Sequence, residues 1–506
     1  MSRGERLPDI MEVISDLSND EVRTPPKVAN QALDLLPAEV WENANYRWLD
    51  PGTKSGVFLR EATRRLMSGL VHQIPDEELR LKHILTKQMF GIGVTELSAM
   101  MSRRALYCSK DASGAESAVK MLTPQGNVWQ ERVSHPFKNG RCSECGAGQE
   151  QFGQLLGENH AYGFIHENGR NAIAKEWDMK FDVIVGNPPY QMDDVGGHRP
   201  VPLYQHFVDQ AIQLQPRFVL MITPSRWMAG GLGLADFRRR MLSDRRLKHL
   251  VDIPQASEVF PQVTIKGGVS YFLWDRSWNG PCRTQQIRQG TVSAVIERDL
   301  GEFDVLVREV KALPILRKVL AKEEASVETI TASVRPFGDA LRSNFKNYSS
   351  KQNNQSHLQL YMNDGTTRFV RWVESKFVTN NQESVQSWKV FLPVASSGGQ
   401  SVPDVVLGKS IIGPPGSVCT ETYLAIGKFD EIGQAKSLES YLRTRFVRFL
   451  VLLRKPGQHS VPSTFRWVPN QKWDRLWTDD ELFKLYKITK EEQDFIESIV
   501  KEMPAT

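Results

Sequence analysis

The decapeptide FDVIVGNPPY, Phe181 to Tyr190, restricts the fold more than any other stretch of this chain. Its apolar half has the length and composition of a buried β-strand, and Gly186 then gives way to Asn187 and two consecutive prolines. Proline has no backbone N–H to donate to a ladder, so the strand must end there, with Asn187, Pro188, Pro189 and Tyr190 at its carboxyl end. Strands and helices alternate around it. The segments MFGIGV, AYGFIH, RFVLMITP, HLVDIP and GGVSYFLW are expected as strands, and PDEELRLKHILTKQ, TELSAMMSRRALY, LYQHFVDQAIQL and LADFRRRML as helices. This rhythm predicts a mostly parallel α/β sheet covered on both faces, with ligands at the carboxyl edge of its strands.

Four residues at such an edge have a specific chemical use. The Asn187 side-chain carbonyl and the Pro188 backbone carbonyl are two acceptors on a rigid turn, placed to take both hydrogens of one exocyclic amine. An adenine amino group is a poor nucleophile because its lone pair is delocalised into the ring. Two fixed acceptors favour a tetrahedral nitrogen whose lone pair is free to meet a methyl donor. Tyr190 would stack on the base once it is flipped out of a duplex, a contact worth about 1–3 kcal/mol. The plainer alternative is a turn that ends a strand and nothing more.

Upstream, DPGTKSGVFL (Asp50 to Leu59) lies between a short apolar run and a helix-like segment. It lacks the upstream glycine of a phosphate loop. Before it, RTPP gives a helix start, with Thr24 as the expected N-cap, Pro25 and Pro26 in the first turn, and Val28, Ala32 and Leu35 on one face. Together with NPPY, these segments resemble the motif set of N6-adenine DNA methyltransferases of restriction-modification systems, in the gamma-type order and most like the type IIG methylases. The resemblance runs on through PSRWMAGGLGLADFRRRML and DIPQASEVFPQVTIKGGVSYFLW and covers nearly the whole chain.

It implies a Rossmann-like S-adenosylmethionine-dependent methyltransferase sheet in residues 1–283 and an α+β target-recognition domain in residues 284–506. It also implies roles. Thr24 and Pro25 would contact the methionine end of S-adenosylmethionine, and Asp50, Pro51, Gly52, Ser55 and Gly56 would form its loop. Asn187, Pro188, Pro189 and Tyr190 would grip the adenine, and Phe260 would pack on the flipped base, with a core aromatic as the competing expectation. The partner is duplex DNA, with a separate restriction endonuclease or helicase subunit as a further one. Three positions depart from the pattern. Gly93 stands where the family has an acidic residue for the cofactor ribose, leaving Glu96 as the nearest carboxylate, or as a plain helix-start glutamate. AYGFIHEN supplies His166 and Glu167 but no aspartate near the adenine ring. Lys54 replaces a glycine, with its ammonium expected in solvent, or else reaching the cofactor carboxylate or a phosphate.

The five cysteines do not form a secreted disulfide framework. Cys142-x-x-Cys145, with His135 upstream and Cys108 at a helix end, predicts a structural zinc knuckle in an insertion spanning 108–160, with His160 or His166 able to replace His135. Cys282 and Cys419 are expected as buried apolar residues. No apolar run approaches a membrane span and no signal peptide is evident, so a cytoplasmic protein is expected. A formal charge of +5 permits a nucleic-acid partner. In the C-terminal half, Arg342, Lys346, Arg368, Arg371, Lys376 and the cluster Arg443, Arg445, Arg448, Arg454 and Lys455 are candidate phosphate contacts. Two other classes compete: a DNA-recognition subunit with a weak or degenerate cofactor site, and the methylase half of a nuclease-methylase assembly. A protein-glutamine methyltransferase would also use NPPY, but in a much shorter chain.

Overall fold

The computed structural model describes residues 23–153, 161–192, 201–231, 233–261, 263, 265–363, 367–396, 403–455 and 457–503. Two compact units divide at Asp304. The boundary falls beyond residue 283 because strands that follow it pair with the first sheet.

That sheet contains β1 (Trp48–Thr53), β2 (Met89–Gly93), β3 (Val128–Trp129), β4 (Val183–Gly186), β5 (Phe218–Pro224), β6 (Leu247–Ile253), β7 (Val269–Asp275), β8 (Cys282–Arg288), β9 (Thr291–Val292) and β10 (Ile296–Arg298). The order is β9-β8-β6-β7-β5-β4-β1-β2-β3, with β10 on β8. Strands β1 to β5 pair in parallel, whereas β7 is antiparallel to both β5 and β6. The chain winds outward from β1 to β3, then returns to the other side of β1 to form β4 and β5. The winding reverses between β1 and β4, which leaves a crevice at their carboxyl ends.

The strands are uniformly buried, as central strands of a two-sided sheet must be. Trp48 is fully buried and stacks on Trp41 at 5.0 Å. Three helices frame the crevice: α1 (Pro26–Leu33), α2 (Val57–Gly69) and α3 (Glu96–Tyr107). Helix α3 starts from a capping box in which the Thr95 hydroxyl accepts from the Ser98 N–H and the Ser98 hydroxyl accepts from the Thr95 N–H.

Several expectations need correction. The N-cap of α1 is Pro25, not Thr24. AYGFIH is a turn rather than a strand, because the Tyr162 carbonyl accepts from the N–H groups of Ile165 and His166 and from the His166 ring. The excursion begins after β3, since Val128 and Trp129 are buried and pair with β2. IIGPPGSVCTETYLAIG makes three strands in two sheets, not two around one turn.

The second unit, from Val305, is α+β. It has two three-stranded sheets, an apolar core that includes Leu358, Leu360, Phe391 and Tyr423, and helices Ile432–Arg443, Arg445–Arg454, Asp479–Leu485 and Lys490–Ile499.

Candidate active site and metal cluster

At the crevice, the loop after β1 packs directly on the di-proline turn after β4. A β-carbon on Gly52 would touch Pro188 Cα and Pro189 Cδ at 3.4 Å, and one on Gly186 would lie 2.7 Å from Asp50 Oδ1. Glycine at both positions lets the two loops meet. Gly56, at φ +69°, ends the loop and opens α2, where a β-carbon would lie 2.8 Å from the Ser102 hydroxyl. It brings no capping side chain. The first N–H groups of α2, which have no partner within the helix, therefore sit beside a small cleft lined by residues that include Thr24, Asp50, Gly52, Lys54, Ser55 and Asn187.

The charged groups of this cleft are buried. Asp50 is 3% exposed, and its Oδ1 accepts from the Gly52 N–H at 3.2 Å. Burial pushes its carboxyl up to about 7, against the pull of Gly52, Thr53 and the Lys54 charge. Lys54 is 6% exposed, with Nζ 5.9 Å from the centre of the Tyr190 ring. The solvent-facing expectation for Lys54 is overturned. No left-handed φ is needed at this position; the one in the loop falls on Gly56.

Asn187 is buried, and its Nδ2 donates to Thr24 Oγ1 at 3.1 Å. Thr24, released from capping, thus holds the amide in one orientation, with Oδ1 turned away from it. Tyr190 is buried beside it. Burial pushes its phenol well above the ordinary range, and the neighbouring Asn187 amide opposes the shift. Tyr190 and Phe260 belong to the same apolar cluster.

A second cluster forms after β3. His135, Cys142, Cys145 and His166 are all buried, and one ligand atom from each lies within 4.8 Å of all the others. Cys145 Sγ is 3.4 Å from His135 Nδ1. The edge of a tetrahedron with Zn–S of about 2.3 Å and Zn–N of about 2.0 Å is about 3.5 Å, which the Cys145–His135 pair matches, and the two thiols and two imidazoles are donor types that suit such an ion. His166 donates Nδ1–H to the Tyr162 carbonyl at 2.9 Å, which fixes its tautomer and leaves Nε2 as the ligand atom. The hairpin Phe137–Lys138/Arg141–Cys142 and a turn through Gly146, at φ +80°, present the two thiols. Burial and the neighbouring Cys142 push the Cys145 thiol up. Cys108 is excluded: it is exposed, in the left-handed conformation that ends α3. His166 takes the fourth place, while His160 lies outside the described residues. His166 was expected only as a replacement for His135; the structure brings both into the cluster, His166 through a turn that was expected as a strand.

Residues 87–260 match the Eco57I restriction-modification methylase family. An uncharacterized adenine-specific methylase of Mycoplasma pneumoniae is 31% identical over 354 residues, covering 64% of this chain and 84% of the relative. This chain belongs to the adenine-specific methylases of restriction-modification systems. Among solved structures it is similar to a chain of a type I restriction-modification system (14% identity, TM-score 0.36, 62% of this chain and 53% of that one). It is also similar to a nuclease-deletion mutant of the Type ISP restriction-modification enzyme LlaGI in complex with a DNA substrate mimic (10%, 0.49, 87% and 45%). It spans about half the length of those two chains.

The matched segment of this methylase contains the di-proline turn and the metal cluster. The Asp50 loop precedes it. A β-carbon on Gly93 would lie 2.7 Å from the Ala99 β-carbon, so the packing of β2 against α3 excludes any side chain there. Glu96 is exposed on the first turn of α3 and is not brought into the cleft.

In the second unit, the supposed phosphate cluster is largely structural. Arg448 Nε donates to the Arg443 and Thr444 carbonyls, Arg454 Nε to the Ser463 carbonyl and Lys455 Nζ to the Val406 carbonyl. Arg443 and Arg445 pair with Glu439 and Glu502. Arg342, Lys346, Arg368 and Lys376 are exposed, and Arg371 lies over Phe369 at 4.8 Å. Cys282 and Cys419 are buried, as expected. No described helix is long and apolar enough to cross a membrane.

Proposed function

We propose that this methylase transfers a methyl group from S-adenosylmethionine to the N6 amino group of an adenine flipped out of duplex DNA. The observation that carries this reading is the buried Asn187 amide at the carboxyl end of β4, fixed by the hydrogen bond from its Nδ2 to Thr24 Oγ1. With the Pro188 carbonyl it would accept the two N6 hydrogens, and Tyr190 and Phe260 would stack on the base. Positioning then carries most of the rate enhancement in an in-line displacement at the methyl carbon. The cofactor would lie along Thr24, Pro25, Asp50, Pro51, Gly52, Ser55 and Gly56. Residues 1–304 would form the catalytic domain and the second unit would recognise the target, with Arg342, Lys346, Arg368 and Lys376 among its phosphate contacts.

His135, Cys142, Cys145 and His166 would hold a structural Zn²⁺, which would tie the excursion after β3 to the segment leading into β4. A separate endonuclease or helicase subunit would supply cleavage. In a labelled-methyl assay on duplex DNA, Asn187→Ala is expected to abolish transfer while cofactor binding by calorimetry persists. Full transfer by the variant would overturn the mechanism.

A further inference from the structure

The metal cluster and the transfer cleft are joined by one short turn. Residues Ala161–His166 end at a ligand of the cluster, and the Tyr162 carbonyl closes them by accepting from the N–H groups of Ile165 and His166 and from the His166 ring. The rings of the same turn meet Phe207, which is fully buried in the helix Tyr204–Gln213: Tyr162 lies edge-on to it at 5.8 Å and Phe164 stacks on it at 5.9 Å. Phe207 in turn borders the cleft. A β-carbon on Gly52 would stand 3.6 Å from Phe207 Cε1 and 3.4 Å from Pro188 Cα, so ring, loop and di-proline turn share one contact.

This path has no slack. A β-carbon on Gly163 would stand 2.4 Å from the Trp129 ring, and one on Gly169 2.3 Å from Gly163 Cα, so the turn is wedged between β3 and the helix Glu167–Glu176. Glu144, between the two thiols, ties that helix to the knuckle, because its Oε1 accepts from the Glu167 N–H at 3.0 Å. Interiors packed this closely pass a displacement on instead of absorbing it. An ion that served only to close the excursion after β3 would need no ligand from the segment that leads to the cleft. His166 is such a ligand, and its Nε2 is buried with no hydrogen-bond partner among the described residues.

We infer that the ion held by His135, Cys142, Cys145 and His166 sets the geometry of the transfer cleft, with Tyr162 and Phe164 as positioning residues that seat Phe207 against Gly52 and the di-proline turn. This rests on the readings of the cluster as a zinc site and of the cleft as the place of methyl transfer. The two rings act through Phe207, on the distance and angle between cofactor and base, where an error of about 1 Å costs about 100-fold in rate. Coupling between two sites is reciprocal in binding free energy, so ligands in the cleft tighten the ion in return.

Two measurements on the full chain test this. In excess Zn²⁺, Phe164→Leu should keep its zinc and lower kcat for labelled-methyl transfer by about 10-fold or more. Phe90→Leu, at a buried ring packed on Trp177 and Phe181, should lose a similar amount of melting temperature and change kcat by less than about 2-fold. Zinc affinity is then read by competition with a chromophoric chelator, with and without S-adenosylhomocysteine and duplex DNA. The bound pair should tighten zinc by about 5-fold or more in wild type and by less than about 2-fold in Phe164→Leu. Tyr162→Leu serves in place of Phe164→Leu if the latter does not fold. Equal kcat in Phe164→Leu and Phe90→Leu, or a wild-type zinc affinity indifferent to both ligands, would overturn the coupling alone. Wild type that carries no zinc would overturn it together with the metal reading, and zinc-loaded wild type that transfers no methyl would overturn it together with the transfer reading.

Discussion

Two buried lysines in this chain have opposite surroundings. Lys389, in the second unit, is fully buried, and its Nζ donates to the carbonyls of Val385 and Ser417 at 3.0 Å each. Lys54, in the first unit, lines the cleft beside Asp50 and the face of Tyr190. Burial alone therefore does not mark a functional group. What separates the two is where they sit: Lys389 is held between two backbone carbonyls inside an apolar core, and Lys54 lies in the wall of a cleft. The metal cluster is a third arrangement: His166 Nε2 is buried with no hydrogen-bond partner among the described residues, and two thiols and a second imidazole converge beside it.

The largest effect expected from this contrast is at the metal cluster. Cys142→Ser, or a strong chelator, should lower the stability of the first unit by several kcal/mol, on the order of what a structural zinc ligand set contributes. Cys108→Ser should change neither metal content nor melting temperature. Elemental analysis combined with calorimetric melting checks both, and equal metal loss in the two variants would break the assignment.

Asp50 comes next. Its folded pKa of about 7 lies above the ordinary 3.8, so the folded protein holds a proton that the unfolded chain has lost between those values, and stability falls as pH rises through that window. Asp50→Asn should stabilise the ligand-free protein by about 1–3 kcal/mol at pH 8 while weakening cofactor binding. Urea melts at pH 5 and pH 8 show whether the gain is confined to the higher pH.

Lys389 carries the opposite sign. Burial lowers it from 10.5 to about 8, so between those values the unfolded chain holds the extra proton and stability rises with pH. Lys389→Met should cost about 1–3 kcal/mol through the two carbonyls left without a donor, and leave cofactor affinity unchanged. A change in affinity would blur the contrast with Lys54. The smallest expected effect is at Thr24→Val, which removes the acceptor that fixes Asn187. Loss of one hydrogen bond of about 1 kcal/mol predicts a fall in kcat of about 3- to 10-fold, larger than any accompanying rise in KM for the cofactor.

The sheet was legible because its strands are continuous apolar runs and its helices carry clear starts, such as Thr95 before α3. The di-proline turn after β4 was legible because two prolines can only end a central strand. What the sequence hid was set by contacts distant along the chain. Thr24 looked like a cap and instead serves Asn187, 163 residues away. His166 entered the metal cluster through a turn closed by the Tyr162 carbonyl, which no periodicity announces. Lys54 looked like surface until the loops after β1 and β4 closed over it. The arginines at 443–454 looked like a phosphate cluster until backbone carbonyls and carboxylates took up their donors.

The most direct test of the central claim is nucleoside analysis. The purified chain is incubated with methyl-labelled S-adenosylmethionine and mixed-sequence duplex DNA, and the DNA is then digested to nucleosides and resolved by mass spectrometry. The label is expected in N6-methyladenosine of the deoxy series, in wild type and not in Asn187→Ala. Label in a cytosine, label in protein, or equal label from the two proteins would contradict the account.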